Sequence, residues 1–315
     1  MQKKSRRTVR KMAGKVSSGL TLALMMVLII GLLSSCSSEE GQSTNESAAT
    51  AKSENITSPD YDGLLKNLTV ADFGARAKAS QILTDLGGQA VPTIIEFLHA
   101  QPYEGEDPAS FRARWEAVNL LGRIADPRAG QVLVDRIVND QENPVRWRAI
   151  WAFKSLSLTP EEKADAFVPY LAGQDGRLQW NAAVALASLG DRKGIAVLAE
   201  GLQSRSAWRR WEAVYSLGLL GDSEAASYAL GALNDDSKKV RQEAVMTLGR
   251  SGDMTFRSAL LPLINDSEAG VRWRAAEAVI RLGQENATSL VSRMLARELD
   301  PTAKQELIRI RDALG

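Results

Sequence analysis

The body of this 315-residue chain repeats itself, and the period leaves room for little except paired helices. Seven segments align: FGARAKASQILTDLG, RARWEAVNLLGRIAD, NPVRWRAIWAFKSL, RLQWNAAVALASLGD, AWRRWEAVYSLGLLGD, KKVRQEAVMTLGRSGD and AGVRWRAAEAVIRLG. Their shared alanines are Ala79, Ala117, Ala149, Ala182, Ala213, Ala244 and Ala275, at steps of 38, 32, 33, 31, 31 and 31 residues. A ten-residue insertion, Gln101 to Ser110, lengthens the first step. Three positions before each alanine stands Arg76, Arg114, Arg146, Gln179, Arg210, Arg241 or Arg272. Four positions after it comes Leu83, Leu121, Phe153, Leu186, Leu217, Leu248 or Val279. A second apolar run separates the segments, opened by turns such as Leu189-Gly190-Asp191 and Leu220-Gly221-Asp222. The glycine ends one helix and the aspartate caps the next. Two helices of about 12 residues per unit leave no length for strands, so the period predicts an all-α solenoid of seven hairpins.

These residues resemble the HEAT repeats, in particular the short HEAT-like repeats of phycobilisome lyases. The carrying motif is D-x(5)-R-x-x-A-(A/V)-x-x-L-G, as in Asp235–Gly249 and Asp266–Val279. The resemblance implies a right-handed α-solenoid over residues 61–315, closed by a capping helix in PTAKQELIRIRDALG. Gln179 departs from the family arginine, and Thr84 from the usual glycine. The family also implies a ladder of Arg–Asp hydrogen bonds between repeats. Asp140, Asp235 and Asp266, six residues before Arg146, Arg241 and Arg272, are its expected partners.

The N-terminus reads as an export signal. Seven Lys/Arg and no acid lie in residues 1–35, followed by the apolar run Leu20–Leu33 and then Ser34-Ser35-Cys36. Fourteen apolar residues make a helix of about 21 Å, short of the roughly 30 Å hydrocarbon core, which favours a signal over a spanning anchor. Ser5-Arg6-Arg7 matches a twin-arginine signal only in part. Leu33-Ser34-Ser35-Cys36 resembles the bacterial lipobox. That resemblance implies lipid, including a fatty acyl chain such as palmitate, on Cys36 and membrane anchoring. Ser37 stands where an inner-membrane retention aspartate would be, so the outer membrane is expected in a cell with two. Residues 36–60 carry the lipidated cysteine and a polar tether too poor in apolar side chains to bury a core.

The residue counts exclude several classes. One cysteine forbids an internal disulfide or thiolate cluster, and one histidine, His99, cannot build a His-rich metal site. Beyond residue 35 the chain has 32 basic and 38 acidic side chains, a poor match for nucleic acid. His99 ends an apolar helix without a nucleophile signature nearby and reads as structural. No metal, cofactor or catalytic set is expected.

Five of the seven tryptophans share the position after the arginine slot: Trp115, Trp147, Trp180, Trp211 and Trp273. On a helical wheel they lie with the position four residues later, which holds Trp151, Val184 and Tyr215 among others, opposite the core stripe. These residues are the candidate ligand-binding face. The competing reading is packing between repeats. Trp208 falls outside the register and carries no role here. The insertion, with Tyr103, is a candidate binding finger or a tolerated loop. The expected function is a membrane-tethered adaptor binding an envelope protein or peptide. The alternatives are a glycan binder and a lyase- or chaperone-like subunit.

Overall fold

The computed structural model describes residues 59–103, 107–283 and 285–314. The signal, Cys36 and most of the tether lie outside them. Residues Ser58–Gly315 form one compact unit. It is all-helical, with no strand among the described residues.

Among the described residues seventeen α-helices follow in order. They are α1 (Tyr61–Asn67), α2 (Phe73–Leu86), α3 (Val91–His99), α4 (Pro108–Ile124), α5 (Gly130–Asn139), α6 (Asn143–Ser155), α7 (Pro160–Asp165), α8 (Val168–Leu171) and α9 (Gly176–Ser188). Then come α10 (Ile195–Gly201), α11 (Ala207–Leu219), α12 (Ser223–Ser227), α13 (Lys238–Arg250), α14 (Arg257–Leu260), α15 (Ala269–Leu282), α16 (Ala287–Arg297) and α17 (Pro301–Asp312). The seven aligned segments form α2, α4, α6, α9, α11, α13 and α15, the signature helices. All seven slot alanines and all seven residues four positions later are buried. The chain closes on a hairpin, α16 and α17, with α17 packed on α15.

The turns obey the expected chemistry. Gly190, Gly221 and Gly252 adopt φ of 81°, 75° and 74°. The aspartate after each accepts a backbone hydrogen bond, from Lys193 N at 2.8 Å, Ala225 N at 2.8 Å and Thr255 N at 2.9 Å. At the end of α4 the same left-handed site is filled by Ala125, at φ 57°. A Cβ in that conformation costs about 1–2 kcal/mol, which glycine's extra unfolded-state freedom only partly offsets. Ala125→Gly is therefore expected to raise unfolding free energy by about 0.5–1 kcal/mol in urea titrations.

The glycine ending the L-G motif has a different job. A Cβ on Gly122 or Gly249 would collide with Ala152 or Ala278 of the next signature helix, at 2.7 and 2.6 Å. Glycine lets these helices cross at close range.

The outer layer departs from two even 12-residue helices. The outer segments of the sixth and seventh repeats wind largely as 3-10 helix, over Tyr228–Asn234 and Leu261–Asn265. Pro262 supplies no N–H for an i→i−4 bond, and Gly231 weakens α-helix at the equivalent place. In the fourth repeat the outer segment is split into α7 and α8, and α8 starts afresh around Pro169. Here the stacking shifts. Helix α9 makes its main contact with the third repeat through the outer helix α5. Arg177 Nη1 donates to Val138 O at 3.1 Å, and Asn181 Nδ2 to the same oxygen at 2.9 Å.

Candidate functional site

The position after the arginine slot points sideways, toward the next repeat, and not straight out from the core. Trp180 shows this most fully. Its Nε1 donates to Glu212 Oε2 of α11 at 2.8 Å, and the Arg209 guanidinium lies 4.4 Å from its ring centroid. Gly201 on α10 makes room for the indole, since a Cβ there would overlap it. Trp180 is only 5% exposed, as is Val184 one turn on. The expected solvent-facing pair Trp180/Val184 is therefore a buried one. The reason is geometric: a wheel places a residue relative to its own core stripe, but a neighbouring helix covers the flank.

Trp115 and Trp211 use the same sideways contact. Arg148 of the following repeat lies 4.6 Å from the Trp115 centroid and 5.3 Å from that of Trp151, bridging the two rings. Burial pushes the Glu243 carboxyl of α13 above the ordinary carboxylate range, against the pull of Arg250 and of the Trp211 indole. Glu116 on α4 is likewise raised by burial, against Arg76, Arg123 and Arg148.

Four rings form a continuous run. Trp208 and Trp211 lie 4.8 Å apart, Trp211 stacks on Tyr215 at 5.4 Å, and Tyr215 meets Trp147 edge-on at 5.5 Å. The last contact joins the third repeat to the fifth across the fourth. The set-back α9 lets the two sides meet. The run opens to solvent at Trp208, 48% exposed, while Trp151, 43% exposed, lies outside it and is joined to Trp115 through Arg148. Trp208, given no role above, thus belongs to the run. Its signal was present, because it stands one helical turn before Trp211. Trp273 lies apart, with Arg274 at 4.3 Å from its centroid. It lines a cleft of about 550 Å³ with Glu277, Arg281 and Arg309 against the closing hairpin.

The arginine ladder exists, one repeat out of the expected register. Arg241 Nη1 donates to the backbone carbonyls of Asp235 at 2.7 Å and Asp236 at 3.2 Å. Its Nε and Nη2 grip the Asp266 carboxylate of the following repeat at 2.8 and 2.9 Å. Arg210 holds Asp235 in the same two-pronged way, and Arg272 holds Glu298. Thus Asp140, Asp235 and Asp266 offer Arg146, Arg241 and Arg272 their backbone carbonyls, while their carboxylates serve the preceding repeat. Arg114 pairs with Asp140 at 2.9 Å, and both side chains are fully buried. Gln179 imitates the carbonyl half of the contact, donating to Gly173 O at 2.7 Å.

Two secondary candidates resolve simply. His99 is exposed at the end of α3. Tyr103 at the start of the insertion donates to Asp135 Oδ2 at 2.6 Å, which ties the loop to α5.

No curated protein matches the chain. An X-ray structure of the Escherichia coli protein YibA aligns at 20% identity and a TM-score of 0.51, over 80% of this chain and 92% of that one. Human deoxyhypusine hydroxylase aligns at 20% identity and 0.32, over 80% and 96%. The CpcE–CpcF phycocyanin lyase complex of a Nostoc species aligns at 21% and 0.34, over 59% and 96%. The likeness to YibA concerns fold. Models of HEAT repeats match residues 61–154, 164–238 and 228–310, most of the described chain, so the protein belongs to the HEAT-repeat family.

Proposed function

We propose that the protein is a non-catalytic adaptor, tethered to the bacterial envelope by lipid on Cys36, that binds another protein or peptide on its signature helices. The observation that carries this reading is the run Trp208–Trp211–Tyr215–Trp147, which joins the signature helices of the third and fifth repeats and opens to solvent at Trp208. Aromatic and arginine side chains together are the usual anchors of protein interfaces. A polypeptide fits better than a glycan, because the rings of the run lie against one another, Trp211 on Tyr215 and against Trp208, and an arginine covers the neighbouring rings of Trp115 and Trp151, which leaves little free ring face for a sugar. Membership of a repeat family is in keeping with a scaffold role. The anchor in this reading is Cys36, on its resemblance to a lipobox cysteine after Leu33-Ser34-Ser35.

Two measurements test the reading. Trp208→Ala/Trp211→Ala in the full detergent-extracted chain should weaken capture of its cross-linked envelope partner about 30-fold, as loss of a ~2 kcal/mol hot spot does. Undiminished capture would refute the aromatic face, and release by oligosaccharide would favour the glycan alternative. Cys36→Ala should abolish fatty-acid labelling. Continued labelling would remove the lipoprotein assignment.

A further inference from the structure

The rungs are not all closed: Arg76 meets Glu116 only at 3.7 Å, and among the described residues Arg146 meets no acid at that range. Arg146 is held as its counterparts are, with Nη1 donating to Asp140 O and Gln141 O, each at 2.9 Å. In Arg210, Arg241 and Arg272 the other two prongs, Nε and Nη2, close on a carboxylate of the next repeat. The next repeat has Gly173 at the sequence position of that acid. Among the described residues, no carboxylate forms an ion pair with Arg146 within 4.0 Å. This rung is also where α9 is set back against α5.

We infer that the Nε/Nη2 edge of Arg146 is a recognition site for a carboxylate of the bound polypeptide, an Asp or Glu side chain or the chain's C-terminus. The two backbone carbonyls already fix the guanidinium plane, so the fork is preorganised for a planar two-oxygen partner. The same fork closes on protein carboxylates at the neighbouring rungs, which favours carboxylate over tetrahedral phosphate. Arg146 is half-buried, and desolvation lowers its pKa while Glu212, Asp140 and Glu142 raise it and Arg177 opposes them. Glu212 is itself engaged by the Trp180 indole. Trp147, the next residue, belongs to the aromatic run, so a ligand held at Arg146 meets that run. The inference deepens the adaptor reading and rests on it for the partner's being a polypeptide.

The test uses the full chain in detergent with ¹⁵N-labelled arginine side chains. N-acetylglutamate should shift one Nε–H resonance saturably, the one missing in Arg146→Lys. N-acetylglutamine and inorganic phosphate should bind at least about tenfold more weakly, a comparison made on the unaltered protein. Arg146→Lys keeps the charge and loses the fork, so it should also weaken N-acetylglutamate at least about tenfold. No saturable shift, an equal response to phosphate, or undiminished binding by Arg146→Lys would overturn the assignment. Failure of the aromatic face would leave this response intact and show only in the Trp208/Trp211 capture assay. Failure of the carboxylate site would show the reverse.

Discussion

Asp140→Ala is expected to lower unfolding free energy by about 3–5 kcal/mol, the usual cost of removing one partner from a buried charge pair. Asp140 sits between two guanidiniums, Arg114 Nε at 2.9 Å and Arg136 Nη1 at 3.5 Å, and none of the three side chains is more than 1% exposed. Its Oδ1 also accepts the Glu142 amide at 3.0 Å, which shapes the turn into α6. Arg136 would survive the loss better, because it keeps the carbonyls of Leu98, Gln101 and Pro102. Arg114 would retain Ser110 Oγ and little else. Asp235→Ala is the internal control, since its pair with Arg210 is wetter, with side chains 18% and 9% exposed. Solvent can reach that guanidinium, so the cost should be about 1–2 kcal/mol. Urea titrations of both variants check the ordering. Equal losses would mean that burial does not set the strength of the rungs.

The helical hairpins were legible in the sequence because each rests on a local pattern. A glycine at positive φ followed by a capping aspartate marks a turn wherever it occurs. The slot alanines recur because helix packing admits nothing larger there. What was not legible depends on how one repeat sits on the next. The six-residue spacing of Asp235 and Arg241 suggests that the two side chains pair, yet only the Asp235 carbonyl meets Arg241. The carboxylate turns back to Arg210, a contact spanning 25 residues. The shift of α9 onto α5 likewise has no periodic signature. Its traces are the 33-residue step into the fourth repeat, the proline within the outer segment, and Gln179 and Gly173 at ladder positions. Each departure looked tolerable when read alone. All fall in one repeat, the one whose ladder position would have supplied a carboxylate to the fork of Arg146.

Trp180 and Trp208 should respond in opposite ways to truncation, and the contrast decides how the tryptophan row divides between packing and recognition. Trp180→Ala removes a side chain 5% exposed and leaves a cavity where the indole lies against Gly201. It also strips Glu212, itself 5% exposed, of the indole N–H. Together these should cost about 3–5 kcal/mol of unfolding free energy. Trp180→Phe keeps most of the volume and loses the hydrogen bond, so about 1–3 kcal/mol is expected. Trp208→Ala forfeits one ring contact, at 4.8 Å from Trp211, on a residue 48% exposed. Its cost should be about 0.5–1.5 kcal/mol, the worth of an aromatic pair. Urea unfolding of the three variants gives the order, and acrylamide quenching gives an independent reading. Trp208→Ala should remove an accessible emitter, whereas Trp180→Phe should remove a shielded one. If Trp180→Ala unfolds within about 1 kcal/mol of the wild type, the indole is not a staple between the fourth and fifth repeats, and its place in the packing must be redrawn.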